Sequence, residues 1–212
     1  SSPLFAQFWK NNELKKIHEL YKKASVNLIL VGGLLFTGVI INIQNIFKIM
    51  PNGQDYVKDG IWIIAIIAIG KMINMALSLN GHLLQNSKYY YINTYSIIIL
   101  GVLTIVTNYI FIPIWGIIGA AFASSLSLVI FNLIKFIFIF YKFKMSPFSS
   151  KTVPAILVFL ILFLINLLIP NLSNVYGDVL IRSIIISTVF FILIYFLKIS
   201  SEINNIIDTY LK

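Results

Sequence analysis

The sequence predicts an all-α protein, a polytopic membrane bundle of about six transmembrane helices. Three observations lead to this prediction. First, 59% of the 212 residues are hydrophobic and 11% are charged, whereas soluble domains average about 45–50% apolar and about 25% charged residues. Second, apolar runs of roughly 20 residues, long enough to cross a bilayer as a helix, recur along the chain. Third, these runs lack the alternating pattern of about 9–11 residues that marks the strands of a membrane β-barrel.

Six segments are long and apolar enough to be membrane helices. They are residues 26–48, 60–84, 92–112, 116–141, 153–169 and 179–197. Between the third and fourth segments the connection is very short, with Pro113 and Gly116 at the turn and small residues directly after it. This pattern predicts a tight hairpin whose second helix packs closely against its neighbours.

Lysine placement predicts how the bundle is oriented. If successive segments alternate in direction, most basic residues fall on one side of the membrane. They are Lys10, Lys15, Lys16, Lys22, Lys23, Lys88, Lys142, Lys144, Lys151, Lys198 and Lys212. The opposite side carries Lys48, Lys58 and Arg182, accompanied by Asp55, Asp59 and Asp178. The positive-inside rule therefore predicts that both chain ends are cytoplasmic.

These boundaries divide the chain into five predicted regions. Residues 1–25 form a cytoplasmic amphipathic segment, 26–141 four transmembrane helices, 142–152 a basic cytoplasmic loop, 153–198 a final two-helix hairpin, and 199–212 a cytoplasmic tail. Apolar residues recur at helical spacing in the first and last regions, so each is predicted to form a short helix on the membrane surface.

The segment at 60–84 carries a polar stripe among apolar residues. At about 100° per residue, five polar side chains fall within an arc of roughly 80°. They are Lys71, Asn74, Ser78, His82 and Gln85. A lysine near the middle of the bilayer costs at least about 2.5 kcal/mol, and such residues usually face a bundle interior or a watery cavity. We therefore predict that these residues line a substrate cavity in which Lys71 attracts an anion; a snorkelling or structurally paired lysine is the alternative.

Two edges of the 116–141 segment differ in character. The polar edge is predicted to face the same cavity and comprises Ser124, Ser127 and Lys135. Small residues form the other edge, which is predicted to pack against neighbouring helices because small side chains let helix backbones approach closely in lipid. Its members are Gly116, Gly119, Ala120 and Ala123. For Lys135, snorkelling to the membrane surface is an equal alternative.

Composition also excludes several kinds of site. The chain has no cysteine, two histidines and seven dispersed acidic residues, so we expect no catalytic centre, metal site or cofactor. Its net charge of +9 does not indicate nucleic-acid binding, because the lysines lie between apolar runs, where they set topology and contact anionic lipids.

Three stretches carry a resemblance to a family of transporters. They are residues 80–93 (NGHLLQNSKYYYIN), 108–125 (NYIFIPIWGIIGAAFASS) and 132–149 (NLIKFIFIFYKFKMSPFS). Together they resemble the C-terminal half of Wzx-type lipid-linked oligosaccharide flippases. These are polysaccharide-biosynthesis proteins of the multidrug/oligosaccharidyl-lipid/polysaccharide exporter superfamily.

The resemblance implies both a fold and a function. The helices would be the last ones of the second lobe of a two-lobed, MATE-like transporter, and the missing N-terminal lobe would belong to a longer chain or to a partner chain. The implied function is translocation of undecaprenyl-diphosphate-linked oligosaccharide across the bacterial inner membrane, for O-antigen, lipopolysaccharide or capsule synthesis. Transport would proceed by alternating access through a cationic cavity, with this substrate and membrane lipids as partners.

Other classes of protein fit less well. A drug or small-molecule exporter of the same superfamily would carry amphipathic cations, which a cationic groove disfavours. A membrane-embedded glycan polymerase or acyltransferase would need a cluster of acid, base or nucleophile near a membrane face, and the sequence shows none. A structural assembly subunit that works only with a partner lobe is a further alternative. The sequence therefore predicts a transporter and not an enzyme.

Overall fold

Helices make up nearly all of the protein between residues 2 and 210, the part that the computed structural model describes. They are α1 (Ser2–Lys10), α2 (Leu14–Ile41), α3 (Ile43–Ile49), α4 (Val57–Leu77), α5 (Leu79–Gln85), α6 (Tyr90–Phe143), α7 (Thr152–Leu168), α8 (Val175–Leu197) and α9 (Ser201–Tyr210), with a short 3-10 helix at Gly53–Tyr56. This part of the chain contains no strand, which confirms the predicted all-α class. Lys212, one of the lysines used to predict orientation, lies outside the described residues.

Four stretches are long and apolar enough to cross a membrane: α2, α4 together with α5, α6, and α8. Helix α7 is equally apolar but has only 17 residues. Large apolar side chains on the outside of the bundle are widely exposed, among them Tyr109 (83%) and Leu168 (82%). Contiguous apolar surface of this extent is rare on soluble proteins, so the helices indicate a membrane-embedded protein.

Helix α6 is a hairpin of two antiparallel arms, residues 90–115 and 117–143. Between them Gly116 adopts φ 57° and ψ −131°, a backbone conformation that is essentially restricted to glycine. The arms then run side by side, with the hydroxyls of Thr107 and Ser127 hydrogen-bonded at 3.0 Å and the rings of Phe111 and Phe122 5.0 Å apart. These contacts confirm the hairpin that the sequence predicted.

Helix α2 lies at the centre of the bundle, in contact with α1, α4, α5, α7 and α8. One apolar cluster joins it to α7 and α8 and includes the buried residues Leu30, Val158 and Ile194. A second cluster joins its first turns to α1, α5 and the second arm of α6. Because each face of α2 meets a different partner, this helix holds the two halves of the bundle together.

The boundaries of the first long helix differ from the prediction. The sequence predicted a span at 26–48, but α2 begins at Leu14 and ends at Ile41. It begins earlier because Ile17 and Tyr21 are buried in the cluster with α1 and α5. It ends earlier because Asn42 leaves the helical conformation and its side-chain amide donates to the carbonyl of Gly38 (2.9 Å).

A buried ion pair holds the ends of α3, α7 and α8 together. Arg182 Nε donates to Asp178 Oδ2 at 2.8 Å, and the remaining guanidinium nitrogens donate to the amide oxygens of Asn166 and Asn171, both at 2.8 Å. They also reach two carbonyls that follow α7. From α3, Asn45 donates to the same Asp178 oxygen at 2.6 Å. This network is structural, since every guanidinium nitrogen already has a partner.

Helices α1 and α9 lie at the same end of the bundle. Trp9 at the end of α1 packs against Phe143 at the end of α6, with ring centroids 5.1 Å apart. Glu202 at the start of α9 forms an ion pair with Lys23 of α2 (2.7 Å). The first and last helices therefore share one end of the bundle.

Acidification is expected to loosen α9 from α2. Burial by itself raises the pKa of the Glu202 carboxyl. Hydrogen bonds from Lys23 and Asn27 lower this pKa by more than burial raises it, so it lies below its usual value of 4.5. A carboxyl group whose pKa is lower in the folded state than in the unfolded state contributes free energy of folding at any pH above its unfolded-state pKa. This free energy is lost as the pH falls through the folded-state pKa. The pair is solvent-exposed, so the effect is small.

This loosening can be measured by spin-label distances, because the chain has no native cysteine to interfere. With labels on Asn11→Cys and Asn205→Cys, the distance distribution is measured from about pH 6 to about pH 3 and should broaden only below the usual glutamate pKa of 4.5. Adding Lys23→Gln should broaden it already at neutral pH, whereas Lys15→Gln, which removes a lysine outside the pair, should not. An unchanged distribution across this range would contradict the predicted role of the ion pair.

Candidate functional site

The break between α4 and α5 directs polar side chains into the interior. Helix α4 ends at Leu77 and α5 begins at Leu79, with Ser78 between them and its hydroxyl donating to the carbonyl of Met75 (3.0 Å). Asn74 lies just before this break and Asn80 just after it. Both amides face the second arm of α6 and reach the same residue there.

Three asparagines and a tyrosine form a hydrogen-bonded chain across the bundle. The hydroxyl of Tyr21 on α2 donates to Asn80 Oδ1. Asn80 Nδ2 in turn donates to the carbonyl of Asn132 (3.4 Å), and Asn132 Nδ2 donates to Asn74 Oδ1 (2.9 Å). The chain therefore connects α2, α5, α6 and α4. Both Asn80 and Asn132 are fully buried, and Asn132 Oδ1 is buried with no hydrogen-bond partner among the described residues.

Lys135 lies one helical turn beyond Asn132 and is 4% exposed. Its Nζ is 3.5 Å from the centroid of the Phe131 ring. Gly81 of α5 lies nearby, because a Cβ added there would be 3.7 Å from Lys135 Nζ and 3.4 Å from Asn93 Oδ1. No carboxylate whose side chain the structure describes forms an ion pair with this lysine.

A buried ammonium without a carboxylate partner is costly in an apolar bundle. The Phe131 ring compensates part of this cost by a cation–π interaction. The unpartnered Asn132 oxygen lies one turn away on the same arm. The site can therefore attract an anion and orient it through amide groups.

Lys71 does not belong to this site. It is exposed and lines a shallow apolar groove between α2 and α4, with a volume of about 310 Å³, beside Phe36, Met72 and Met75. Asn74 instead points toward α6. The polar stripe that was predicted from Lys71 to His82 is therefore divided. Residues spread over an arc of 80° can lie on opposite sides of the line where two helices touch. In addition, the helix breaks at Ser78, so the residues after it no longer follow the same spacing.

The other predicted cavity residues are dispersed. Ser78 bonds to its own helix, and His82 and Ser124 are exposed. Ser127 is fully buried inside the α6 hairpin, where it bonds to Thr107 and to the carbonyl of Ala123. Of the predicted set, Asn74 bonds to Asn132 on the same arm of α6 that carries Lys135.

The four small residues predicted for helix packing occupy different positions. Gly119 and Ala123 are buried between the arms of α6, and Gly119 lies against the backbone of Phe111. Ala120 is half-buried. Gly116 is exposed with open space around its Cα, so its contribution is the turn conformation.

Sequence reasoning missed Tyr21, Asn80 and Asn93 as members of the site. The sequence did contain a signal for Asn80. Within an apolar run, an asparagine can hydrogen-bond to a neighbouring helix, and the glycine that follows it allows the two helix backbones to lie close together. Tyr21 and Asn93 carried no such signal, since each lies near the site only because of the way in which its helix, α2 or α6, packs in the bundle. Among residues 2–210, no group of histidines and carboxylates is placed to hold a metal ion.

Comparisons with known proteins assign no function to this site. Neither the protein-family models nor the curated proteins contain a match to this chain.

Proposed function

We propose that this chain is the C-terminal part of a membrane transporter that moves a lipid-linked oligosaccharide across a bacterial inner membrane. In this proposal the chain crosses the membrane six times with both ends cytoplasmic, and it supplies the end of the second lobe of a MATE-like protein. The substrate is an undecaprenyl-diphosphate-linked glycan for surface polysaccharide synthesis. No bond is made or broken by the protein.

The observation that carries this proposal is the buried Lys135 beside an asparagine network. A diphosphate that crosses about 30 Å of hydrocarbon needs cationic and amide partners, whereas its prenyl tail can stay in lipid. Lys135 supplies a positive charge with no carboxylate partner in the described chain. Asn74, Asn80 and Asn132 supply the amides. The resemblance noted in the sequence supports the same class of substrate.

A direct test is the variant Lys135→Gln in the full-length gene. We expect surface polysaccharide to fall by at least about tenfold, which corresponds to the roughly 1.5–3 kcal/mol that a charge-assisted hydrogen bond contributes. Lipid-linked oligosaccharide should accumulate in the inner leaflet. Lys135→Arg, which keeps the charge, should retain most export. Both quantities are measured at matched amounts of protein in the membrane.

Two further variants sharpen this test. Lys71→Glu examines the lysine that the sequence favoured, and a loss of export equal to that of Lys135→Gln would move the anion contact to the α2–α4 groove. Lys88→Gln removes an exposed charge and should leave export unchanged. Normal export by a well-inserted Lys135→Gln protein would contradict the proposed role of the buried site, and drug resistance conferred by the wild type would favour a small-molecule exporter instead.

A further inference from the structure

A second polar pocket lies at the end of the bundle that α1 and α9 share. It has a volume of about 480 Å³ and is enclosed by α2 and by the chain just before α7 and just before α9. The charged residues that line it are Lys22, Lys23, Lys151, Lys198, Glu19 and Glu202. Four ammonium groups against two carboxylates leave the pocket with a local excess of positive charge.

Two of these lysines are already engaged and two are available. Lys23 forms the ion pair with Glu202, and Lys151 Nζ donates to the carbonyl of Lys198 at 2.7 Å. The ammonium groups of Lys22 and Lys198 form no ion pair with any residue that the structure describes. The engaged lysines therefore shape the pocket, and the other two supply its charge.

The starts of two helices add to the positive potential. The turn Ser149–Lys151 precedes α7, and the hydroxyl of Ser149 accepts from the amide of Lys151 (3.2 Å). Ser200 precedes α9, and its hydroxyl accepts from the amide of Ile203 (3.2 Å). Helix starts carry a partial positive charge, so both contribute to attraction of an anion alongside the lysines.

Exposed apolar side chains lie close to the pocket along the chain. Val153 at the start of α7, Phe196 at the end of α8 (75% exposed) and Ile206 on α9 (57% exposed) are each within a few residues of a residue that lines it. An amphipathic ligand would place its polar part against the lysines and its apolar part along these helices. A free phosphate would use only the first of these two surfaces.

We propose that this pocket binds the phosphate-bearing head group of an anionic phospholipid, with the acyl chains lying along the exposed apolar side chains of α7 and α8. Basic pockets at the cytoplasmic ends of membrane helices have the charge and position to hold such head groups. Because α9 forms one wall, a bound lipid fastens the last helix to the bundle. This site is separate from Lys135 and does not depend on the transported substrate.

The test measures lipid binding to the purified full chain in neutral detergent by native mass spectrometry. Phosphatidylglycerol, phosphatidylcholine and soluble glycerol phosphate are each titrated. Each lysine near an anionic lipid contributes roughly a fivefold gain in affinity, so Lys22→Gln with Lys198→Gln is expected to weaken phosphatidylglycerol binding about 25-fold. The matched control, Lys10→Gln with Lys15→Gln, removes the same charge from exposed sites outside the pocket and should change binding little.

Several results would overturn the proposal. If the pocket variant and the control variant lose the same affinity for phosphatidylglycerol, the effect is one of general surface charge. If phosphatidylglycerol and phosphatidylcholine bind equally well, the pocket does not recognise an anionic head group. Displacement by glycerol phosphate at the concentration of the lipid would make a soluble phosphate the ligand. Lys22→Arg with Lys198→Arg keeps both charges and should bind phosphatidylglycerol as the wild type does. This result would show that the loss in the glutamine variant comes from the missing charges and not from misfolding. These outcomes leave the export experiment on Lys135 unaffected.

Discussion

Replacing Arg182 with methionine is expected to destabilise the protein by about 3–5 kcal/mol, the usual cost of removing one partner of a buried ion pair. Methionine has a similar length but donates no hydrogen bond, so Asp178 is left as a buried charge. Two carbonyls after α7 and the amide oxygens of Asn166 and Asn171 also lose their donor. The free energy of unfolding can be measured by titrating SDS into mixed micelles and following tryptophan fluorescence.

Two comparisons make this prediction specific. Lys58→Met is the matched control, because it removes an exposed basic residue at the same end of the bundle and should change stability by less than about 0.5 kcal/mol. The double variant Asp178→Leu with Arg182→Met should lose less than the sum of its single variants, since no unpaired charge remains buried. A stability of Arg182→Met equal to that of Lys58→Met would show that the network contributes nothing.

Replacing Gly119 with alanine is expected to lower stability by about 1–3 kcal/mol, the usual cost of adding a methyl group where there is no room for it. An added Cβ at Gly119 would clash with the carbonyl oxygen of Phe111. That oxygen belongs to the facing arm of α6, so the arms have to move apart and the Thr107–Ser127 hydrogen bond is weakened.

Gly101 provides the matched control within the same helix. A Cβ there meets nothing within 4 Å, and alanine has the better helix propensity by about 1 kcal/mol. Gly101→Ala should therefore be neutral or stabilising. Because both variants make the same chemical change, the difference between their unfolding free energies isolates the clash. A Gly119→Ala protein as stable as Gly101→Ala would mean that the arms are not in close contact.

Patterns that act locally were predicted well. The Pro113–Gly116 turn was evident from the residues themselves, because few conformations join two apolar helices through so short a connection. The all-α class followed from apolar run length, which separates membrane helices from barrel strands. The break after Ile41 was missed because nothing in an apolar run shows that Asn42 will bond to its own backbone.

The candidate site could be predicted only in part. An angular plot of one helix placed Lys71 and Asn74 on a common stripe, but such a plot does not say where neighbouring helices touch. In the structure Asn74 bonds to Asn132 on α6, and Lys71 is exposed beside α2. The free-energy cost of a charged group depends on these neighbours, so the sequence favoured Lys71 and could not show that Lys135 is the buried lysine.

The sequence by itself determined the helical class, the membrane character and the position of the hairpin, because each of these depends on composition and on neighbours along the chain. Tertiary structure alone decided which lysine is buried and which asparagines meet. Tyr21 and Asn80 are separated by 59 residues and Asn74 and Asn132 by 58. Contacts over such separations depend on how whole helices pack against one another, and in lipid that packing is selected by shape and hydrogen bonding, which no single segment encodes.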